Sequence, residues 1–169
     1  MGAGNTVMAD EGIGPRCIEA LEAWFTFGDD VDLMDVGTMG LAMLDYLREY
    51  THVVVIDAAK DTGHPAGTVV LYTPEDLAKY QVLHSAHDMR LVDVLKSATL
   101  MGIELESVVI VGVQIESMEQ WVLGLSPPLE AAIPIACAAA LQQLATLDAE
   151  FTAKGNVPAE FWDAYSNYA

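Results

Sequence analysis

The sequence predicts an α/β fold, a three-layer αβα sandwich built on a mostly parallel, open, twisted sheet flanked by helices. Two runs carry this prediction. His52-Val53-Val54-Val55-Ile56 is β-branched and apolar on both alternating faces, the pattern of a central parallel strand covered by helices on two sides, and residues 107–113 read as a second strong strand. Around them lie segments with apolar residues every three or four positions, and strands alternating with helices imply right-handed βαβ units. With 169 residues, 53% of them hydrophobic, the chain can bury roughly 70% of its unfolded surface without disulfides. No linker or internal repeat divides it, so the prediction is one α/β domain over residues 1–150 and a tail over 151–169.

The elements follow in order. Residues 12–25 place Ile13, Cys17, Leu21 and Trp24 or Phe25 at near-helical spacing, with Pro15 tolerated in the first turn. Residues 31–36 read as a short strand ending at Asp35. Gly37-Thr38-Met39-Gly40 then turns the chain into an amphipathic helix in which Leu41, Leu44 and Leu47 share a face. Residues 52–56 form the central strand, closed by Asp57. Gly63-His64-Pro65-Ala66-Gly67 marks a loop, and residues 68–72 a strand suited to a sheet edge. Residues 88–100 carry Leu91, Val94, Leu95 and Ala98 in helical register, residues 107–113 are the last strong strand, and residues 127–147 make a long Ala- and Leu-rich helix, bent or begun near Pro134. From Thr152 onward the periodicity fades, while Phe161, Trp162, Tyr165 and Tyr168 predict a tail docked on an apolar surface. In this architecture the turn Gly2-Ala3-Gly4-Asn5 follows a central apolar strand, yet only Met1 precedes it. The first strand is therefore expected to be missing or truncated, with the true start upstream.

Composition narrows the function classes. Seven Lys and Arg against 25 Asp and Glu give a net charge of −18, which repels phosphate backbones and anionic membrane surfaces and favours a cation or a basic peptide. Neither nucleic acid nor membrane is an expected partner. The most apolar stretch, residues 131–141, is shorter than the about 20 residues a bilayer span needs. No basic segment followed by an apolar core opens the chain, and Cys17 and Cys137 are too few and too separated for a disulfide framework, so the cytoplasm is the expected compartment. Gly2-Ala3-Gly4 only begins a dinucleotide fingerprint. The sequence has no Gly-x-Ser-x-Gly elbow, no His-Glu-x-x-His, and no Cys beside a His, so a conventional serine, cysteine or zincin protease is not supported.

What remains is a scattered set of ligands. Ligands of open α/β sheets bind beyond the carboxyl ends of the strands. Glu11 follows the loop that leaves the first strand, Asp57 ends a strand, and His87 sits in a loop before a helix, so the three can converge on one crevice. Two carboxylates and an imidazole suit a borderline divalent metal such as nickel or zinc. Each residue also has a plainer reading. Asp10 and Glu11 in the first turn of a helix gain about 0.3–1 kcal/mol from its dipole. Asp57 can accept hydrogen bonds from loop amides, and His87 can cap its loop, with His84 a rival ligand. The conjunction carries the case. Asp35 with Gly37, Thr38 and Gly40 is either a turn whose glycines permit positive φ or close backbone approach, or a rim where an extended peptide lies against exposed amides.

These motifs in this order resemble the hydrogenase maturation endopeptidases. Gly2-Ala3-Gly4-Asn5 through Asp10-Glu11-Gly12-Ile13-Gly14 resembles that family's opening loop, Asp35-Val36-Gly37-Thr38-Met39-Gly40 its second signature, Asp57-Ala58 its third and Ser85-Ala86-His87 its histidine loop. Gly112-Val113, Glu116-Ser117 and Gly124-Leu125-Ser126-Pro127 are similar to its late motifs, while Ile115 stands where the family often has Pro. The resemblance implies an endopeptidase that removes the C-terminal extension of a nickel-iron hydrogenase large-subunit precursor once nickel is inserted. It further implies nickel supplied by that precursor, metal contacts at Glu11, Asp57 and His87, and a substrate cleft formed by Asp35 with the turn of Gly37, Thr38 and Gly40; a carboxylate, Asp35 or Asp57, is then expected to orient water as the catalytic group. Two other classes share the same acidic residues. A receiver-like phosphoacceptor would use Asp10, Glu11 and Asp57 but needs a Lys after the last strand, where this chain has Gln114-Ile115-Glu116. A nickel-delivery chaperone would bind the metal and cut nothing.

Overall fold

The computed structural model describes residues 1–76 and 91–168. Five strands form the main sheet: β1 (Gly2–Ala3), β3 (Asp35–Gly37), β4 (His52–Ala59), β5 (Val69–Tyr72) and β6 (Ser107–Gln114). Their order is β3-β1-β4-β6-β5, parallel throughout except for β5, which runs antiparallel along β6 at the edge. The β4/β6 ladder is the backbone of the fold, in register from His52 opposite Ser107 to Ala59 opposite Gln114. β-branched residues suit this position because both faces are covered.

One face of the sheet packs α1 (Ile13–Trp24), α4 (Pro127–Ala145) and α5 (Ala159–Tyr168). The other packs α2 (Met43–Leu47) and α3 (Leu91–Leu100). Alternation along β4 divides its side chains accordingly. Ile56 and Ala58 join the first core with Ile13, Leu129 and Phe161, while Val53, Val55 and Ala59 join the second with Leu47, Val94 and Ile110. Among the described residues α4 is the one helix with the length and hydropathy of a membrane span. Its composition is that of a core helix instead: it contacts the sheet, α1 and α5, so it has little polar face to show.

Several elements differ from the sequence expectations. Residues 31–34 are not strand. β3 is confined to Asp35–Gly37, because β1 offers only Gly2 and Ala3 to pair with, opposite Asp35 and Gly37. β1, two residues long, lies between β3 and β4. The strand expected to close at Asp57 runs on to Ala59, so Asp57 lies within the ladder, opposite Gly112. Leu44 and Leu47 are buried, but Leu41 is 46% exposed, because residues 40–42 wind as a tighter 3-10 turn that takes Leu41 out of phase. α4 starts at Pro127 and continues through Pro134. Residues 151–168 hold two elements. β7 (Phe151–Ala153) pairs antiparallel with β2 (Phe25–Phe27), and α5 seats Phe161 fully buried against Phe25, Trp24 and Tyr165.

Gly14 is where α1 crosses the sheet. A Cβ there would stand 2.6 Å from the Ile56 carbonyl oxygen and closer still to that of Ala3, both backbone atoms that cannot swing aside. Gly14→Ala gains about 1 kcal/mol of helix propensity. Overpacking costs about 1–3 kcal/mol and sits at the upper end against rigid backbone. The expected net effect is a loss of about 2 kcal/mol, read as a lower urea midpoint at unchanged slope.

Candidate active site

The chain leaves β1 through Gly4, whose φ of +138° and crowded surroundings admit only glycine: a Cβ there would drive into the Glu11 carbonyl. The loop then folds back on itself. Asn5 N–H donates to the Glu11 carbonyl at 3.1 Å, Met8 N–H to the Asn5 carbonyl at 3.1 Å, and Glu11 N–H to the Met8 carbonyl at 3.2 Å. This closure starts a 3-10 turn, Ala9–Gly12, which holds Asp10 and Glu11 fully inside the protein before α1 begins.

Asp57 reaches the same region from β4. Alternation puts it on the face of Val55 and Ala59, near the carboxyl end of the sheet, and it is 5% exposed. Its Oδ1 accepts the Ala58 N–H at 2.8 Å. Burial pushes its carboxyl up to about 7; the Ala58 hydrogen bond opposes that shift, and the nearby negative charge of Glu11 adds to it. Glu11 and Asp57, 46 positions apart in sequence, are thus brought together as an interacting buried carboxylate pair. A divalent cation suits such a pair chemically, since it offsets both charges at once and accepts oxygen ligands.

The other expected site residues fall as follows. His87 lies outside the described residues, as does its rival His84. Among the described residues no group of three or more His, Cys, Asp and Glu side chains gathers to hold a metal. Asp35 is exposed and turned into its own turn, its Oδ1 accepting the Gly37 N–H at 2.9 Å. That turn is nevertheless tied to the opening loop, because Gly4 N–H donates to the Gly37 carbonyl at 3.0 Å. Gly37 and Gly40 both take positive φ, and Thr38 is exposed between them. The turn therefore forms an accessible rim beside the Gly4 loop.

Asp10 plays a part that local sequence reasoning missed. Its carboxylate accepts four hydrogen bonds: from the Glu116 N–H at 3.0 Å, the Ser117 N–H at 2.9 Å, the Ser126 N–H at 2.7 Å and the Ser126 hydroxyl at 3.1 Å. Both ends of the loop after β6 are thus fastened to the turn that carries Glu11. Glu116-Ser117 and Gly124-Leu125-Ser126-Pro127 were legible as motifs, and the geometry gives the reason for them. They are the amides and the hydroxyl that satisfy a buried acid.

Comparison with known proteins gives a single picture. A family model for hydrogenase maturation proteases matches residues 15–143. The chain is 31% identical over 156 residues to the hydrogenase expression/formation protein HupD of Rhizobium leguminosarum bv. viciae, a match covering 91% of this chain and 77% of that one. It is 34% identical over 134 residues to the hydrogenase 2 maturation protease of Escherichia coli K12, covering 79% and 81%. Among solved structures, the hydrogenase maturating endopeptidase HybD of Escherichia coli superposes with a TM-score of 0.81 at 30% identity, covering 92% of this chain and 96% of that one.

Proposed function

The chain belongs to the hydrogenase maturation protease family, and on that footing we propose how its buried carboxylates serve the reaction. It is an endopeptidase that cleaves the C-terminal extension from a hydrogenase large-subunit precursor. The receiver-like reading gives way to this assignment.

In the proposed mechanism the nickel of a nickel-iron precursor is the recognition element and arrives as part of the substrate. Glu11, Asp57 and His87 contact it. The interaction of the buried Glu11 and Asp57 carboxyls supports this reading, because such a pair gains most from a cation that only a loaded precursor brings. Bound in this way, nickel supplies charge neutralisation and polarisation of the scissile carbonyl. With a cation beside it Asp57 would be held as the carboxylate, its proton released to solvent. Either it or Asp35 on the rim then orients the attacking water, while the amides around Gly37, Thr38 and Gly40 line the extended substrate. Docking gates cutting: an empty precursor brings no cation to the carboxylates and leaves the scissile bond out of register. The compartment proposed is the cytoplasm, the reducing setting expected for a chain whose two cysteines, Cys17 and Cys137, are buried and free.

The deciding experiment incubates purified protein with the large-subunit precursor, with and without nickel, and weighs the products by mass spectrometry. Loss of a C-terminal peptide only with nickel is expected, and His87→Ala is expected to abolish it without unfolding the protein. Equal cleavage of nickel-free precursor, or normal processing by His87→Ala, would remove the metal-recognition scheme.

A further inference from the structure

We infer that the loop after β6 is a docking ledge for the precursor chain, with Trp121 and Leu123 as its apolar anchors; this rests on the processing role above. Trp121 is 84% exposed and Leu123 75%, on a segment whose two ends are both held by the buried Asp10 carboxylate. A tryptophan displayed to water on a fastened loop is a poor way to build a surface and a good way to build a contact, because Trp dominates protein recognition sites.

The ledge is continuous with the candidate active site. Trp121 N–H donates to the Val7 carbonyl at 2.8 Å, and Ala9 N–H to the Val122 carbonyl at 2.9 Å, so residues 121–122 run along residues 7–9. Two positions further on stands Glu11. Val7, itself 37% exposed, extends the apolar strip. Ala9 and Trp121, which flank the bridged pair Met8 and Val122 on opposite sides of this seam, have φ of 48° and 66°, a left-handed conformation that costs non-glycine residues about 1–3 kcal/mol and survives where surrounding contacts enforce it. Here the enforced geometry turns the indole outward.

Charge indicates the occupant. Glu116 and Glu119 are exposed on the same loop, in a chain of net charge −18. The fitting partner is an extended stretch of the precursor, near its scissile bond, that offers a large apolar side chain beside a basic one. A peptide lying on this ledge would run beside residues 7–9, the segment that leads into the turn carrying Glu11.

The test uses the whole protein and the nickel-loaded precursor. Trp121→Ala/Leu123→Ser is expected to weaken precursor binding by about tenfold in a titration and to raise KM far more than it lowers kcat. Thermal stability should hold, since both side chains are exposed. Trp121→Phe should restore most of the affinity. A control, Leu100→Ala/Met101→Ser, removes a second exposed apolar pair, 88% and 53% exposed at the end of α3, and should leave binding as it is. Unchanged affinity in the Trp121 variant, or an equal loss in the control, overturns the ledge whatever happens to cleavage. If the wild type binds the precursor without cutting it, and only the ledge variant loses affinity, the ledge stands and the processing role falls. A wild type that binds no precursor overturns both.

Discussion

Asp10→Ala is expected to lower the free energy of unfolding by about 4 kcal/mol and to stop precursor processing, although Asp10 is not one of the proposed metal contacts. The magnitude follows from what the carboxylate satisfies. It accepts three backbone N–H groups and one hydroxyl, and its removal leaves those donors facing a cavity in the protein interior. Net hydrogen bonds to a charged group contribute about 1.5–3 kcal/mol, and stranded buried donors add to the loss. Water entering the vacated space and relaxation of the loop offset part of the sum, which is why the expected figure is well below four independent bonds. The functional loss has a geometric cause. Asp10 fastens residues 116–126 to the turn that carries Glu11, so without it both the ledge and the neighbouring carboxylate lose their fixed position. Asn at this position keeps an acceptor but turns an amide NH2 toward N–H donors, so it should recover less than half of the loss. Urea denaturation beside a processing assay checks both halves. A fall below about 1 kcal/mol would mean that the loop is held by something else.

The contrast between Asp10 and Asp57 shows what a sequence can disclose. β4 and β6 are legible because a β-branched run apolar on both faces has few other uses, and α4 because nothing but a core position suits so many alanines and leucines. β2 and β7 escape notice: each is three residues long, and Phe25 finds its partner at Ala153, far beyond any local window. α5 escapes for a different reason. Its aromatic residues read as anchors of a tail, because Phe161, Trp162, Tyr165 and Tyr168 mark one helical face over only ten residues, too short a run for periodicity to stand out. At the site, Glu11 and Asp57 can be picked out because an acid after a glycine turn or near the end of a buried strand is conspicuous. Asp10 cannot be, because its donors lie 106 to 116 positions away and are mostly backbone amides that no side-chain pattern announces. Trp121 is equally silent, since a tryptophan in a loop reads as core until its exposure is known.

Asp57→Asn is expected to stabilise the metal-free protein at pH 8 by up to about 4 kcal/mol, raising Tm by roughly 10 °C, while abolishing nickel-dependent processing. Burial raises the Asp57 carboxyl from 3.8 to about 7 in the folded protein. Between those values the folded state holds a proton that the unfolded chain has released, so stability falls as pH rises from about 4 to about 7 and levels off above, where folding must bury an ionised group. Asn carries no such charge, and its NH2 can donate toward Glu11. The gap between variant and wild type should therefore be small near pH 4, open through pH 5 and 6, and stay constant above 7. Denaturation curves for both proteins across this range measure it directly. A gap that does not widen would show that Asp57 is already relieved of its burial cost in the free protein. If it widens as expected, the wild type carries a carboxylate that weakens its own fold at working pH, and that defect is what a cation borne by the precursor is suited to repair.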